Sequence, residues 1–493
     1  MPRVLFAGLF LWLTAVLAVG AGALGLPRVQ AIVAGAIAAA ISALFASRAL
    51  HRRIAGSVSR SLGVALVAAS ALAIFRIGTL AVFMADVHRV EYSIKPDEEF
   101  RRSHSCFSAY AESARFADEG GQNIYERALY IPSGGQRSIG PLKVDPFHYP
   151  PPFLLLPEAL RVVAPDFWDL RRLWFAMQAL TLAAAVVGLA GWIGGMQGGF
   201  ALLAGILVLA SPHTAATLQQ GNFQITAIAV ALVAIALLMS GLTATGSGLL
   251  AYAALSKIFP GVLVVPLIAA RRWRLLAWIA AAGAVLVVLT VVVIGMRPFQ
   301  DFVSTALPDI SSGAAFPQAD VPAQSRVNWS AYGETVRLRQ LGVSWLTTPR
   351  GLMVAQLYGL AIVALAAWVG WKRRFDLSVG TGRLALLQVS LALVSLASFR
   401  SPFVGVVYGS IGTLWVIGLT AASMPTEARR AAWFTGFVIL AWSTWLLPAP
   451  GMPAPPAWVW ISGLQVLVCI AANGYIAFTN PATSASAPKA AIV

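Results

Sequence analysis

Long apolar stretches recur along almost the whole chain, and they constrain its fold more than any other feature. Runs of about 20 apolar residues can cross the hydrocarbon core of a bilayer as helices, and the first three occupy residues 4–24, 29–46 and 61–84. Hydrophobic residues make up 58% of the chain and charged residues only 11%. A soluble protein could not bury that much apolar surface. The sequence therefore predicts an all-α integral membrane protein, a polytopic helical bundle of about 12–14 spans that include short or re-entrant helices.

Basic residues gather in a few loops, and their positions predict the orientation of the chain. There are 35 Lys and Arg against 19 Asp and Glu, which gives a net charge of +16. The basic runs contain no interleaved base-stacking aromatic residues, so they indicate cytoplasmic loops and no nucleic-acid partner. The loop at 47–60 and both termini are expected in the cytoplasm. Residues 85–150 and 297–350 then lie outside a bacterial plasma membrane, and a site built from them faces the periplasm or exterior.

The pattern of spans and loops divides the chain into six segments. The two long polar loops are too long to be simple connectors. The segments are N-terminal transmembrane helices at 1–84, a large extracytoplasmic loop at 85–172, core transmembrane helices at 173–296, a second extracytoplasmic loop at 297–350, C-terminal transmembrane helices at 351–480 and a polar tail at 481–493.

Cysteine and histidine are scarce, which limits the metal and disulfide chemistry that the sequence predicts. Cys106 falls in a polar loop and Cys469 in an apolar segment, so neither a disulfide framework nor a cysteine-based metal site is expected. His104, His148 and His213 share no metal-ligand spacing. The sequence therefore predicts no cofactor and no metal site, although a divalent cation could enter with a phosphate substrate, held by one or two carboxylates.

One apolar stretch, LAYAALSKIFPGVLVVPLIAARRWR, is interrupted by a charge and a proline. Lys257 cannot face lipid cheaply, and Pro260 cannot continue a regular helix. Irregular backbone at membrane depth is tolerated where protein or a water-filled cavity surrounds it. We therefore predict two half-helices here, with the ammonium of Lys257 at the break.

Polar side chains near the outer ends of several spans are candidates for chemistry. A carboxylate there could act as a general base on an acceptor hydroxyl, and cations could bind the phosphate of a lipid-linked substrate. Structural alternatives stay open, since Asp86 could anchor a helix end, Asp145 could open a turn before Pro146, and Arg400 could extend to the interface. The candidates are Asp86, Asp145, His148, Tyr149, Asn222, Gln224, Lys257 and Arg400.

Three motifs follow one another in a recognisable order: HYPPPFLLLPEAL, QQGNFQITAIAVALVAIALL and LAYAALSKIFPGVLVVPLIAARRWR. Together they resemble glycosyltransferase family 87, membrane mannosyltransferases of the GT-C type that use polyprenyl-phosphate-mannose. The resemblance covers roughly residues 100–420. It implies a GT-C-like bundle with an outward-facing cavity bounded by helices, some of them lying on the membrane.

The sequence departs from the family pattern at two places. The letters GNFQ at 221–224 replace the family's Gly-Gln-x-Asn, with the two amides exchanged. Cys106, four residues before Tyr110, occupies the position of the family's usual catalytic Asp. The base is therefore expected elsewhere, either at Asp86, where a helix enters the first outer loop, or at Asp145 beside the Tyr-Pro-Pro segment.

The resemblance implies a hexosyltransferase that moves a sugar, mannose by family default, from a polyprenyl-phosphate donor to an acceptor hydroxyl with inversion at the sugar carbon. Its expected partners are that donor, a lipid or glycan acceptor and membrane lipids. Lys257 and Arg400 would neutralise the departing phosphate, and the sugar site would be lined by His148, Tyr149, Asn222 and Gln224. Two alternatives remain: a transporter or flippase of lipid-linked sugars, which needs no base, and a catalytically silent relative.

Overall fold

A computed structural model describes residues 2–54, 58–373, 382–447 and 457–479, and within these ranges the chain is almost entirely helical. The chain begins with three long helices, α1 (Pro2–Ala23), α2 (Arg28–Ile54) and α3 (Arg60–Ala85). The predicted polar tail at 481–493 lies outside the described residues. The prediction of an all-α polytopic membrane protein is confirmed.

Close packing of α1 against α2 depends on small residues. The buried residues of α2 recur every third or fourth position and are mostly alanine, glycine or serine. A Cβ atom on Gly35 would lie 2.6 Å from the backbone nitrogen of Ala18, so the two helix backbones approach closely at this point. In lipid, where apolar surface alone gives no driving force for association, such close contact is the main source of helix–helix attraction.

The polar segment after α3 folds into short elements around a small sheet. Strand β3 is central and pairs in parallel with β1 and antiparallel with β2. The elements are α4 (Glu99–Ser103), β1 (His104–Ser105), α5 (Cys106–Glu119), β2 (Ser138–Ile139), β3 (Leu142–Val144) and α6 (Leu155–Arg161).

The middle of the chain alternates long helices with broken ones. The pair α8 and α9 bends by 55°, because Ser211 caps the second helix and Pro212 begins it. The predicted break beyond α11 is confirmed, since a 3₁₀ turn, Phe259–Leu263, separates α11 from α12. The helices are α7 (Phe167–Ile193), α8 (Gly195–Ala210), α9 (Pro212–Gln220), α10 (Gln224–Met239), α11 (Thr243–Lys257), α12 (Val264–Ala269) and α13 (Trp273–Ile294).

The second polar loop contains α14 (Arg297–Asp301), α15 (Leu307–Ser312) and α16 (Ala331–Gln340). It contacts the first loop directly, since Asn123 Nδ2 lies 3.1 Å from Thr305 Oγ1. The two loops therefore lie at the same end of the bundle. The chain closes with α17 (Thr348–Arg373), α18 (Arg383–Ser398), α19 (Val406–Ser423), α20 (Glu427–Trp445) and α21 (Ala457–Thr479).

Full-length and shorter apolar helices coexist in this bundle. Eight described helices are long and apolar enough to cross a membrane, and nine if α8 and α9 count as one span. Three further apolar helices are shorter. The 16 residues of α10 extend only about 24 Å, less than the hydrocarbon core of about 30 Å. This helix can be short because other protein segments, rather than lipid, cover nearly all of it.

Candidate active site

A cavity of about 880 Å³ opens where the two polar loops meet the helix ends. Its walls come from the first loop, the second loop, the break after α11, one side of α17 and the turn between α18 and α19. Seven of the eight candidate residues line it, although they are far apart in sequence: Asp145, His148, Tyr149, Asn222, Gln224, Lys257 and Arg400.

Asp86 is the candidate that lies outside the cavity lining. It follows the last residue of α3 and is exposed. Its carboxylate accepts a hydrogen bond of 3.0 Å from the backbone N–H of His88, two residues on. This local turn is typical of an aspartate that ends a helix. The geometry therefore separates the two proposed bases and favours Asp145.

The small sheet positions Asp145 beside two residues that are about 40 positions away in sequence. In the parallel register His104 pairs with Lys143 and Ser105 with Val144. Cys106 directly follows the last residue of β1, and Asp145 directly follows the last residue of β3. The two residues therefore lie side by side. A hydrogen bond of 3.2 Å between the Asp145 backbone N–H and the Ser108 side chain further holds this strand end against the start of α5.

His104 lies between Asp145 and Cys106 and contacts both. Its Nδ1 is 3.3 Å from Asp145 Oδ2 and its Nε2 is 3.5 Å from Cys106 Sγ. Burial alone would lower the pKa of His104, but the Asp145 carboxylate and the Cys106 sulfur outweigh it and hold that pKa well above its usual range. Burial likewise raises the pKa of the Cys106 thiol, and the neighbouring His104 more than offsets it, so the pKa is lowered. The positively charged imidazole ring thus pairs with the Asp145 carboxylate.

Asn222 is positioned by the turn between α9 and α10. Gly221 has a φ of 69°, and a Cβ atom there would lie 2.5 Å from Phe107 Cβ, so only glycine fits. Gln178 donates a hydrogen bond of 3.0 Å to the Asn222 carbonyl. The Asn222 side chain accepts one of 2.9 Å from the backbone N–H of Gln224. The exchanged amides therefore form a rigid corner, with both side chains on the cavity wall.

Lys257 is the last residue of α11, and its ammonium turns into the cavity. The next residue, Ile258, has a φ of 59°, an unusual conformation that ends the helix there. Lys257 Nζ lies 3.0 Å from Tyr149 Oη, 3.3 Å from Asn222 Oδ1 and 4.2 Å from the centre of the Tyr149 ring. Among the described residues no carboxylate pairs with this ammonium.

The tyrosine and histidine of the Tyr-Pro-Pro segment line the same wall. Tyr110 donates a hydrogen bond of 3.3 Å to the Tyr149 hydroxyl, which also faces Lys257. The His148 ring lies 5.0 Å from the ring of Phe316, which belongs to the second loop. Burial lowers the pKa of His148 to about 4, so this side chain is neutral at physiological pH and offers hydrogen bonds rather than charge.

Arg400 reaches the cavity from the turn between α18 and α19 and is exposed. The described residues provide no ion-pair partner for its guanidinium. Its aliphatic stem packs against α17, where a Cβ atom on Gly359 would lie 3.0 Å from Arg400 Nε. Among the described residues, the cavity lining therefore presents three cations without carboxylate partners, Lys257, Arg400 and Arg127, and one carboxylate, Asp145, that is paired with a histidine.

Sequence analysis did not predict the grouping of His104, Cys106 and Asp145. Their ligand atoms lie within 4.8 Å of one another. This proximity depends on the pairing of two strands across the loop, which the spacing of the residues in the sequence does not indicate. Tyr408 was also missed: its hydroxyl lies 3.4 Å from Cys106 Sγ and donates to Gln220. The His-x-Cys sequence at 104–106 was the available signal.

A sequence model of glycosyltransferase family 87 matches residues 147–402, slightly more than half of the chain. The chain belongs to glycosyltransferase family 87. This confirms the resemblance found in the sequence, and it makes the protein a membrane glycosyltransferase. No curated protein and no solved structure gives a significant match.

The family match covers most of the cavity wall of this family 87 protein but not all of it. It includes His148 and Tyr149 at its start and Arg400 near its end, with Lys257 between them. The cluster of His104, Cys106 and Asp145 precedes the matched residues. This cluster on the cavity wall therefore lies outside the segment that the family model matches.

Proposed function

We propose that this protein transfers a sugar from a polyprenyl-phosphate donor to an acceptor hydroxyl at the extracytoplasmic membrane face, with mannose as the sugar expected from the family. One observation carries the proposal: a single cavity contains the Asp145 carboxylate together with cations, Lys257 and Arg400 among them, that have no carboxylate partner among the described residues. A transferase of this kind needs a base for the acceptor and positive charge for the leaving phosphate.

The cations suit the phosphate of the donor. Within the described part of the chain, the hydrogen-bond acceptors of Lys257 are both neutral, the Tyr149 hydroxyl and the Asn222 amide oxygen. A phosphate oxygen would replace these weak partners with a charge-assisted hydrogen bond. As the bond between the sugar carbon and the phosphate oxygen breaks, negative charge grows on the phosphate, and Lys257 and Arg400 stabilise it.

The apolar side of the cavity supports a lipid-linked donor. Val262 and Val265, from the segment after the break, line the cavity together with Ile362 and Val363 of α17. These side chains belong to apolar helical segments, so a polyprenyl chain could leave the polar site along them and enter the bilayer. Water-soluble nucleotide sugars would gain nothing from such a wall.

Asp145 is the proposed base. His104 pairs with Oδ2 of its carboxylate, and among the described residues nothing donates a hydrogen bond to Oδ1. This second oxygen can take the proton of the acceptor hydroxyl as that hydroxyl attacks the sugar carbon from the face opposite the phosphate. The configuration of the sugar carbon is then inverted, and polyprenyl phosphate leaves. Asn222, Gln224, His148 and Tyr149 would hold the sugar hydroxyls.

Release of polyprenyl phosphate tests the proposal directly. The purified protein in nanodiscs would be incubated with polyprenyl-phosphate-mannose, with and without membrane extract as acceptor. We expect polyprenyl phosphate and a mannosylated product from wild type, and both at a rate lower by about two to four powers of ten from Asp145→Asn. A flippase would move the donor between leaflets of a proteoliposome without cleaving it, so intact donor in the opposite leaflet would refute the transferase.

A further inference from the structure

Three side chains of different chemistry converge at the wall of the cavity, and their combination is typical of transition-metal sites. Cys106, His104 and Asp145 offer sulfur, nitrogen and oxygen atoms that lie within 4.8 Å of one another. All three line the cavity. We propose that they bind one divalent cation of the zinc class, and that this cation inhibits the transferase.

The distances suit such a cation. Zinc binds sulfur at about 2.3 Å and nitrogen or carboxylate oxygen at about 2.0–2.2 Å in tetrahedral geometry, which places its ligands about 3.3–3.8 Å apart. His104 contacts Asp145 through Nδ1 and Cys106 through Nε2, and only one of these nitrogens can bind the cation. One ligand atom from each of the three residues lies within 4.8 Å of the other two, so side-chain rotations that bring them about 1 Å closer would complete the set.

The neighbouring residues hold these ligands in place. The His104 ring stacks on Phe100 with 4.7 Å between ring centres, and Asn222 Nδ2 lies 3.2 Å from Cys106 Sγ. Such contacts orient ligands before a cation arrives and increase affinity. Three protein ligands that all line the cavity would leave a fourth position for a small molecule, which is the arrangement of open zinc sites.

The donor set also selects the kind of cation. A thiolate and an imidazole favour zinc, cobalt or copper, whereas magnesium and calcium prefer sites made only of oxygen atoms. Binding of the cation releases the proton of the Cys106 thiol, and it also releases the proton on the His104 nitrogen that becomes a ligand. The cation takes the Asp145 carboxylate as a ligand, so that carboxylate can no longer accept a proton from the acceptor hydroxyl.

Cation binding can be measured without donor or acceptor, so it does not depend on the proposed function. Metal-free protein in detergent would be titrated with Co²⁺, whose bond to a thiolate gives a near-ultraviolet charge-transfer absorption. We expect one cobalt per chain, displaced by Zn²⁺ but not by Mg²⁺. Cys106→Ser should abolish the absorption, while Cys469→Ser, which removes the other cysteine of the chain, should preserve it.

A second variant keeps the test valid if Cys106→Ser fails to fold. His104→Gln retains the thiol but removes a ligand. Loss of an outer-shell partner alone weakens metal binding by about 10–100-fold, so loss of this ligand should weaken Co²⁺ binding at least as much. An absent absorption in wild type, or an unchanged one in both variants, would overturn the site. The same would follow if Cys469→Ser removed the absorption.

The inhibition rests on the proposed function and is tested separately. Saturating Zn²⁺ should suppress release of polyprenyl phosphate, and a chelator should restore it. Turnover that is unaffected or increased by Zn²⁺ would refute the inhibition while leaving the site and the transferase standing. If Co²⁺ binds but neither the metal-free nor the metal-loaded protein cleaves the donor, the metal site is supported and the proposed function fails.

Discussion

Replacing Lys257 by methionine tests whether its ammonium binds the donor phosphate. The change removes the charge and keeps a stem of similar length, so it leaves the end of α11 and the following break intact. Among the residues that the structure describes, the ammonium has the Tyr149 hydroxyl and the Asn222 amide oxygen as its hydrogen-bond acceptors. Neither carries charge, so neither compensates fully for the hydration that the ammonium loses in the cavity.

The expected magnitude follows from these contacts. A unit charge at about 4 Å from a phosphate, at an effective dielectric constant of about 20, gains about 4 kcal/mol. Part of this is lost because the phosphate must shed water, and the existing contacts of Lys257 are exchanged rather than added. We therefore expect Lys257→Met to weaken donor binding by about 1.5–3 kcal/mol, the scale of a charge-assisted hydrogen bond, or roughly ten- to a hundredfold.

Thermal stabilisation by polyprenyl phosphate provides the assay, with titrations to extract affinity. Lys143→Met is the matched control, because it removes the same charge from the cavity rim. Lys143 is half-exposed and lies 3.9 Å from Glu99, so its loss should cost no more than about 1 kcal/mol.

The alternative is that Lys257 only satisfies the polar groups at the break. Lys257→Met should then be as stable as wild type or more so, with donor affinity unchanged. Equal affinities for wild type and Lys257→Met would refute the phosphate site. Equal losses in the two lysine variants would refute a specific contact and leave only a general effect of charge.

Four further results are expected. Asp145→Asn should reduce turnover by about two to four powers of ten with little change in donor binding, whereas Asp86→Asn should remain near native; the reverse pattern would show that the wrong carboxylate was chosen. Because burial lowers the pKa of His148 to about 4, its protonation state is constant between pH 5 and 8, and His148→Gln should have the same pH–rate profile as wild type over that interval. A cysteine at exposed position Ser344 should react with an impermeant thiol reagent added outside intact cells; protection there would reverse the predicted topology. Gly221→Ala should lower the free energy of unfolding by about 1–3 kcal/mol, seen as a lower melting temperature in detergent, and an unchanged melting temperature would mean that the turn adopts another conformation.

Helical spans and their interruptions were predictable from sequence because they depend on local composition. Lipid requires apolar side chains over a fixed length, so the three runs before residue 84 became helices, the first and third with nearly the expected bounds. The second helix continues to Ile54, through the first half of the predicted loop at 47–60. Lys257 and Pro260 marked a break because neither fits a lipid-facing helix, and the structure has its break between them. The exact end at Ile258, with its positive φ, was not predictable from residue type.

Helix length was harder to predict than helix existence. Hydropathy does not distinguish a helix that faces lipid from one enclosed by protein, because both are apolar throughout. Thus α10 and α18 have only 16 residues each, and both are covered by other segments of the chain. Only the packing of neighbouring helices shows that these segments need not match the thickness of a bilayer.

The features of the site also fall into those that the sequence predicts and those that only the tertiary structure brings together. Sequence alone determined the membrane fold, the family and most of the cavity wall, because these depend on composition and on motifs that lie within single segments. Only the tertiary structure placed Cys106 and His104 beside Asp145, since a parallel strand pair joins residues about 40 positions apart. The tertiary structure also shows that Asp86 lies outside the cavity lining, because the direction in which a helix end points depends on packing rather than on residue type.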